Sequence, residues 1–400
     1  MKSVYTELIE LETELNRYKI TLFDVISKFK EYLFLKDTQI IEIVLAVILS
    51  NQLDGTPIWI IFCGASGDAK STHLNAIEQL NNVIWLDQLT KNTLASGHPK
   101  VKDLGEKLQN SLQNSSHILV IPDMACISSK YKDERKEIFA SMRNLYDGYI
   151  IKHTGSGVNK QYKDCHVSLI AGATPIIKRE YLIHQQLGSR ELIFDTDAII
   201  DENDEKMKQA WDNEQYEQQM KEELQSVVSQ FVKDIQIKEI EFSDEIKEYL
   251  MKQANRLSIL RAVGDYNQFN DELECDLYLE VPTRLIKQLK RLWICLKSLD
   301  DDYSDDRCKE IIEHVVKSSG NSNRSLILEI LKESKEDSFS VNAVKYETKL
   351  GYRAVKRELE ALWNLGLIIK KGHYISKSES KVYDIASYQI DLDRYNELLT

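Results

Sequence analysis

The sequence predicts an α/β protein built on a parallel sheet, with helical segments before and after it and a small unit at its C-terminal end. Three observations lead there. Short continuous apolar runs at Ile58–Cys63, Val83–Leu86, Ile118–Ile121 and Val167–Ala171 alternate with stretches of helical periodicity, and strands that alternate with helices and are buried on both faces make parallel sheets. Only 5 Pro and 15 Gly occur in 400 residues, which favours long helices over loop-dominated or barrel-rich architectures. The alternation stops near residue 200, and helical patterns continue beyond it.

In chain order, residues 1–50 read as an N-terminal helical segment, with Leu22, Val25, Ile26 and Phe29 at three-to-four spacing. Met1–Asn16 holds four glutamates and no long apolar run, so it does not read as a signal peptide. The longest apolar stretch, Ile40–Leu49, is ten residues with Glu42 inside it, too short to span a bilayer. Residues 51–200 hold the strands. Residues 201–317 read as helical; their first fifty, 201–250, carry 15 acidic and 6 basic residues, a solvated helical face. Residues 318–323 (SSGNSN) have the composition of a linker, and 324–400 form the last unit. Six scattered cysteines without a CxxC pair read as free thiols of a reducing cytoplasm. Eight histidines lack metal-ligand spacing, so no structural transition metal is expected.

The first apolar run leads directly into Gly64-Ala65-Ser66-Gly67-Asp68-Ala69-Lys70-Ser71-Thr72. Small residues let backbone N–H groups curl around phosphates, a lysine reaches the β- and γ-phosphates, and a hydroxyl serves Mg²⁺. Gly64, Gly67, Ala69, Lys70, Ser71 and Thr72 are therefore the predicted nucleotide-binding residues; the alternative is a chance Gly/Ser loop. A second apolar strand ends in Pro122-Asp123, where a carboxylate could hold Mg²⁺ beside the loop or merely cap a helix. A third ends at Thr174-Pro175, where a polar side chain could orient water.

The GxxGxAKS variant resembles the MCM group of AAA+ ATPases. Ile170–Pro175 is similar to the MCM sensor-1 strand, Leu187–Phe194 (LGSRELIF) to its arginine-finger segment, and Pro282–Leu292 to its lid helix, with Arg284 and Arg291 seven residues apart. Thr90–Gly97, Met142–Gly148, Leu187–Arg190 and Pro282–Leu289 look like MCM-like ATPases of bacteria, phages and mobile elements. The resemblance covers roughly residues 40–317. It implies an AAA+ core with a helical lid, ATP and Mg²⁺ as cofactors, Ser71 and Asp123 as Mg²⁺ ligands, Thr174 as sensor 1, Arg190 as a finger reaching a neighbouring subunit, and Arg284 as sensor 2. A finger acting in trans implies a ring, most plausibly a hexamer. Arg190 and Arg284 each have a plain salt-bridge alternative, for Arg284 with Glu280 across Pro282, and Arg261 is a lesser rival as sensor residue. The chain departs from the family where Met124 follows Asp123 in place of a water-polarising glutamate, leaving Asp123, Asp133 or Glu134 to do that work, and where Glu191 follows Arg190.

Two parts face nucleic acid on this reading. Ile150–Lys163 reads as a hairpin around Gly155-Ser156-Gly157, at the position where MCM-like enzymes project a lysine into the ring channel; Lys152 and Lys160 are its candidates. Residues 324–400 carry a winged-helix pattern: helices at 325–332, 340–349 and 352–365, then a wing from Leu367 to Ile375. Residues 341–381 hold nine basic and four acidic side chains, and the third helix offers Arg353, Lys356 and Arg357 to DNA. The net charge of −12 disfavours a non-specific nucleic-acid coat taken whole, but its acidic weight lies in 201–250. The expected protein is a cytoplasmic MCM-like helicase or replication initiator of a mobile element, binding DNA and possessing no membrane segment. An accessory replication protein could supply the large N-terminal domain of cellular MCM proteins, since only about 50 residues precede the core. The alternatives are an ATP-switched DNA-binding regulator that does not translocate and a protein-remodelling ATPase.

Overall fold

Thr21 starts the first described helix with a reciprocal cap: its N–H donates to the Asp24 carboxylate at 2.8 Å, and the Asp24 N–H donates to the Thr21 hydroxyl at 3.2 Å. The computed structural model describes residues 19–399 apart from 99, 101, 110–116, 154, 156, 179–188, 197–202, 267–272, 274–276, 334–337 and 379–380. The chain runs through α1 (Leu22–Tyr32), α2 (Gln39–Ser50), β1 (Trp59–Cys63), α3 (Lys70–Asn75), β2 (Val83–Trp85), α4 (Leu104–Leu108), β3 (His117–Ile121), α5 (Ala125–Ser128), α6 (Lys132–Tyr146), β4 (Tyr149–His153), β5 (Asn159–Lys163), β6 (Val167–Ala173), β7 (Leu192–Asp195), α7 (Asn203–Asn213), α8 (Glu217–Asp234), α9 (Asp244–Arg261), α10 (Thr283–Lys297), α11 (Asp305–Ser319), α12 (Ser322–Glu333), β8 (Phe339–Ser340), α13 (Val341–Thr348), α14 (Tyr352–Asn364), β9 (Ile368–Ser378), β10 (Lys381–Ile390) and α15 (Leu392–Leu399).

The fold is α/β. Its parallel sheet has five strands in the order β2-β3-β6-β1-β7. β1 and β6 are buried along their whole length, which is why they read as continuous apolar runs and not as an alternation. They pair from Trp59↔Leu169 to Cys63↔Ala173, and β3 flanks β6 from His117↔Val167 to Ile121↔Ala171. Contacts divide the chain into two compact units, one made of 1–175, 196–240 and 291–308, the other of 176–195, 241–290 and 309–400.

In the first unit the apolar run 40–49 is α2, a core helix. Its one carboxylate, Glu42, is buried and satisfied by the Tyr303 hydroxyl, the Thr38 hydroxyl and the Arg307 guanidinium. Asp37 shares Arg307; burial pushes its carboxyl up, but hydrogen bonds from Arg307 and from the Gln39 and Thr38 N–H groups, with the Arg307 charge, outweigh this and hold it below the usual carboxylate range. Arg291 closes the helix by donating to the carbonyls of Ser50 at 3.2 Å, Leu53 at 3.0 Å and Asp54. Among the described residues, no helix is long and apolar enough to cross a membrane.

The second unit differs from the sequence expectation in two places. Residues 262–282 contain no helix among the described residues, only isolated antiparallel bridges at Val263↔Tyr278 and Tyr266↔Leu273; Gly264, Asp265 and Pro282 disfavour a continuous helix there. Residues 318–323 are not a free tether. Ser318 and Ser319 are buried and their hydroxyls accept from the backbone N–H groups of Asp195 at 3.1 Å and Ile193 at 2.7 Å, while the Asn321 N–H donates to the Leu260 carbonyl at 3.0 Å. Small polar residues suit a loose linker by composition, and suit equally well a joint that must satisfy neighbouring backbone. Arg324, 2% exposed, completes it by donating to Glu358 at 2.9 Å and to the carbonyls of Ile259 at 2.9 Å and Ala262 at 2.7 Å. Beyond α12, α13 and α14 lead into a β9–β10 hairpin longer than the wing read from sequence, with β8 on the other side of β10. Ser340 caps α13, as its sequence position suggests, accepting from the Ala343 N–H at 3.2 Å.

Candidate functional site

The Gly64 N–H extends the β1 ladder by donating to the Ala173 carbonyl at 3.1 Å. A Cβ at Gly64 would lie 1.7 Å from the Thr196 hydroxyl, so no side chain fits. Thr196 is fixed there by its own N–H, which donates to the Cys63 carbonyl at 2.8 Å. The loop then turns through Gly67 at φ 84° and Ala69 at φ 49°. Ala69 is left-handed, a conformation costing a non-glycine residue about 1 kcal/mol. Three groups hold it: the N–H groups of Thr72 and His73 reach its carbonyl at 3.0 and 3.2 Å, and His73 Nδ1 lies 2.8 Å from the same oxygen. Burial keeps the His73 imidazole below its ordinary pKa, and the ring stacks on Phe29.

Lys70 opens α3. Its Nζ donates to the Gly64 carbonyl at 2.9 Å and to the Ala65 carbonyl, so the ammonium sits over the loop it follows. Burial lowers its pKa, and the carboxylates of Asp68 and Asp123 act in the opposite sense. Ser71 is exposed and Thr72 half-buried. Asp123 lies just past β3, exposed, with one carboxylate oxygen accepting from the Ala125 N–H at 2.8 Å. The cap and the proposed metal-facing carboxylate are thus compatible, since a carboxylate has two oxygens. Met124 is buried and its N–H donates to the Gly172 carbonyl at 2.8 Å. Thr174 follows β6, half-buried. Because β3, β6 and β1 are neighbours, the Asp123 turn, Thr174 and the 64–72 loop come together at the carboxyl ends of adjacent parallel strands, where open α/β sheets bind ligands. An oxyanion there would meet loop N–H groups, an ammonium and hydroxyls, and Ser71 with Asp123 offers hard oxygen donors to a divalent cation.

No protein-family profile matches the chain, and no curated protein does. Asp133 and Glu134, the other carboxylates considered for activating water, stand in the first turn of α6, where Glu134 pairs with Lys130 at 3.3 Å and Asp133 with Lys136 at 3.9 Å.

In the second unit, Arg190 is half-buried; its carbonyl accepts from Gln288 at 2.6 Å and its N–H donates to the Glu191 carboxylate at 3.0 Å. Arg284 donates to the Ser189 carbonyl at 2.8 Å and pairs with Glu280. Pro282 does not obstruct that pair, because it precedes the first residue of α10 and so lies outside the helix interior. Arg261 is buried and spent on the carbonyls of Glu191 and Ser319.

The predicted hairpin is present, with Lys152 opposite Lys160 in the β4–β5 register. The two lysines have different surroundings. Lys152 is half-buried and donates to the Lys91 carbonyl at 3.2 Å. Lys160, 12% exposed, is ion-paired at 2.6 Å to Asp103, 2% exposed. Burial pushes the Asp103 carboxyl up, but hydrogen bonds from Lys160, the Ser96 N–H and Tyr162 outweigh it and hold the group below its usual range. On α14, Arg353 is exposed, Lys356 is half-buried, and Arg357 lies 5.4 Å over the Tyr266 ring, whose hydroxyl donates to the Arg357 carbonyl at 3.1 Å. Sequence reasoning missed Thr196, Asp68 as a charge within the loop, and Lys206, whose Nζ lies 3.5 Å from Asp68. No local pattern marks them, since each matters through a contact distant in sequence.

Proposed function

We propose that the chain is an ATPase of the MCM-like AAA+ type, acting on DNA as a helicase or replication initiator. The observation that carries the proposal is the convergence of the Gly64–Thr72 loop, Asp123 and Thr174 at the ends of β1, β3 and β6. On this reading the loop N–H groups and Lys70 bind the β- and γ-phosphates, Ser71 and Asp123 hold Mg²⁺, and Thr174 orients the attacking water. Bound Mg²⁺ would neutralise phosphate charge. Arg190 would serve a neighbouring subunit's site and Arg284 would act from a helical lid, which makes a homo-oligomeric ring, a hexamer, the working form. Lys152 of the hairpin and Arg353, Lys356 and Arg357 of a C-terminal winged helix would contact DNA phosphates. A cytoplasmic location and an accessory replication protein complete the proposal.

ATPase and strand-unwinding assays of the wild type beside Lys70→Ala and Arg190→Ala test it. DNA-dependent ATPase activity, unwinding, and loss of both in each variant are expected; no wild-type ATPase, or no loss in either variant, refutes it. A second reading rests on Met124. The residue after Asp123 is apolar and buried, so no carboxylate stands there to polarise water, which favours ATP binding that switches DNA affinity without translocation. Processive ATP-driven unwinding would exclude that reading.

A further inference from the structure

The loop assigned above to phosphate carries a carboxylate of its own. Asp68 lies two residues before Lys70, and its side chain folds back over the start of the loop. Its Oδ2 would be 3.1 Å from a Cβ at Gly64, is shut off from solvent and has no hydrogen-bond partner. Its Oδ1 faces Lys206 Nζ at 3.5 Å. The Asp68 side chain is 14% exposed and that of Lys206, on α7, 30%. The Asp68 charge also reaches Lys70 and His73. A polyphosphate entering this loop brings like charge towards Asp68, and like charges at such range oppose one another unless a cation intervenes.

We propose that Lys206 is a positioning residue of the polyphosphate site: it neutralises Asp68 and draws the carboxylate aside, and so sets the affinity of the loop for a nucleoside triphosphate. This rests on the reading that residues 64–72 bind nucleotide. The coupling runs through Asp68, which gives the proposal a signature that a direct Lys206–phosphate contact would not give.

The test is a titration of the full chain with a fluorescent ATP analogue and Mg²⁺, in a double-mutant cycle. Lys206→Ala weakens binding by about two- to fivefold, the range of a partly exposed charge pair. Asp68→Asn tightens binding. In the Asp68→Asn background, Lys206→Ala has little further effect, because the charge it answered is gone. Lys206→Arg restores wild-type affinity, and thermal midpoints stay level across the set. An unchanged affinity in Lys206→Ala overturns the proposal, as does an equal loss in both backgrounds, which would place Lys206 on the phosphate itself. If the wild type binds no nucleotide, the reading of the loop fails with it, and that outcome is distinct because no variant would then give a titration.

Discussion

Replacing Gly172 by Ala tests how the Asp123 turn is held. A Cβ at this position would lie 2.4 Å from the Pro122 carbonyl oxygen. Ordinary van der Waals contact begins near 3.4 Å, so the Pro122–Met124 turn must retreat by about 1 Å or β6 must bend. Overpacking of this kind costs roughly 1–3 kcal/mol. Gly172 is not among the residues with positive φ, so alanine meets no backbone penalty and returns about 0.5–1 kcal/mol of unfolded-chain entropy. Stretching the Met124 N–H···Gly172 carbonyl bond costs about 1 kcal/mol. The net is a destabilisation of roughly 1–3 kcal/mol, read as a lower thermal midpoint. On the proposed function the larger effect is on turnover. The displaced group would be Asp123, a proposed Mg²⁺ ligand, and misplacing a catalytic group by about 1 Å costs on the order of a hundredfold in rate. Steady-state hydrolysis should therefore fall far more than affinity for ATP, because Lys70 and Ser71 follow β1 and not the displaced turn. Gly155→Ala, where an added Cβ meets nothing within 4 Å, is the control. A Gly172→Ala protein with wild-type stability and turnover, or one losing affinity in step with turnover, would show that Gly172 does not set the position of the Asp123 turn.

Other outcomes follow from the same geometry. Lys160→Met leaves Asp103 buried without its cation and should cost about 3 kcal/mol, whereas Lys152→Met should leave the melting temperature nearly unchanged; equal melting of the two proteins would contradict this. The folded Asp103 carboxyl lies below its unfolded value, so its contribution is present above the unfolded pKa and is lost as pH falls through the folded one. Asp103→Asn should accordingly flatten the acid limb of the stability profile, measured by melting across pH. Arg324→Met strips donors from Glu358 and from two buried carbonyls and should destabilise the second unit by about 3–5 kcal/mol. Arg324→Met/Glu358→Met should recover part of that loss, with hydrogen exchange in α12 and α14 as the readout.

Most of the parallel sheet was legible because strands buried on both faces leave continuous apolar runs, as Ile60, Ile61, Leu119 and Leu169 do. The loop was legible because the proposed phosphate-binding role demands small residues and one lysine in a fixed local order. β7 was harder to see as a strand: it is short, and two of its backbone N–H groups are met by Ser318 and Ser319, residues that composition assigns to a linker. The Glu280–Arg284 pair was obscured by Pro282, whose effect depends on which side of a helix boundary it falls. Lys160 read as a free basic tip because its partner, Asp103, is 57 residues away. Thr196 against Gly64, and Lys206 against Asp68, are likewise products of the tertiary fold.

On the proposed function the 64–72 loop binds a nucleoside triphosphate. Calorimetric titration of the wild type and Lys70→Ala with a non-hydrolysable ATP analogue and Mg²⁺ tests it most directly. Saturable binding by the wild type, weakened at least about tenfold in Lys70→Ala, is predicted. No binding by the wild type, or equal binding by the two proteins, would contradict it.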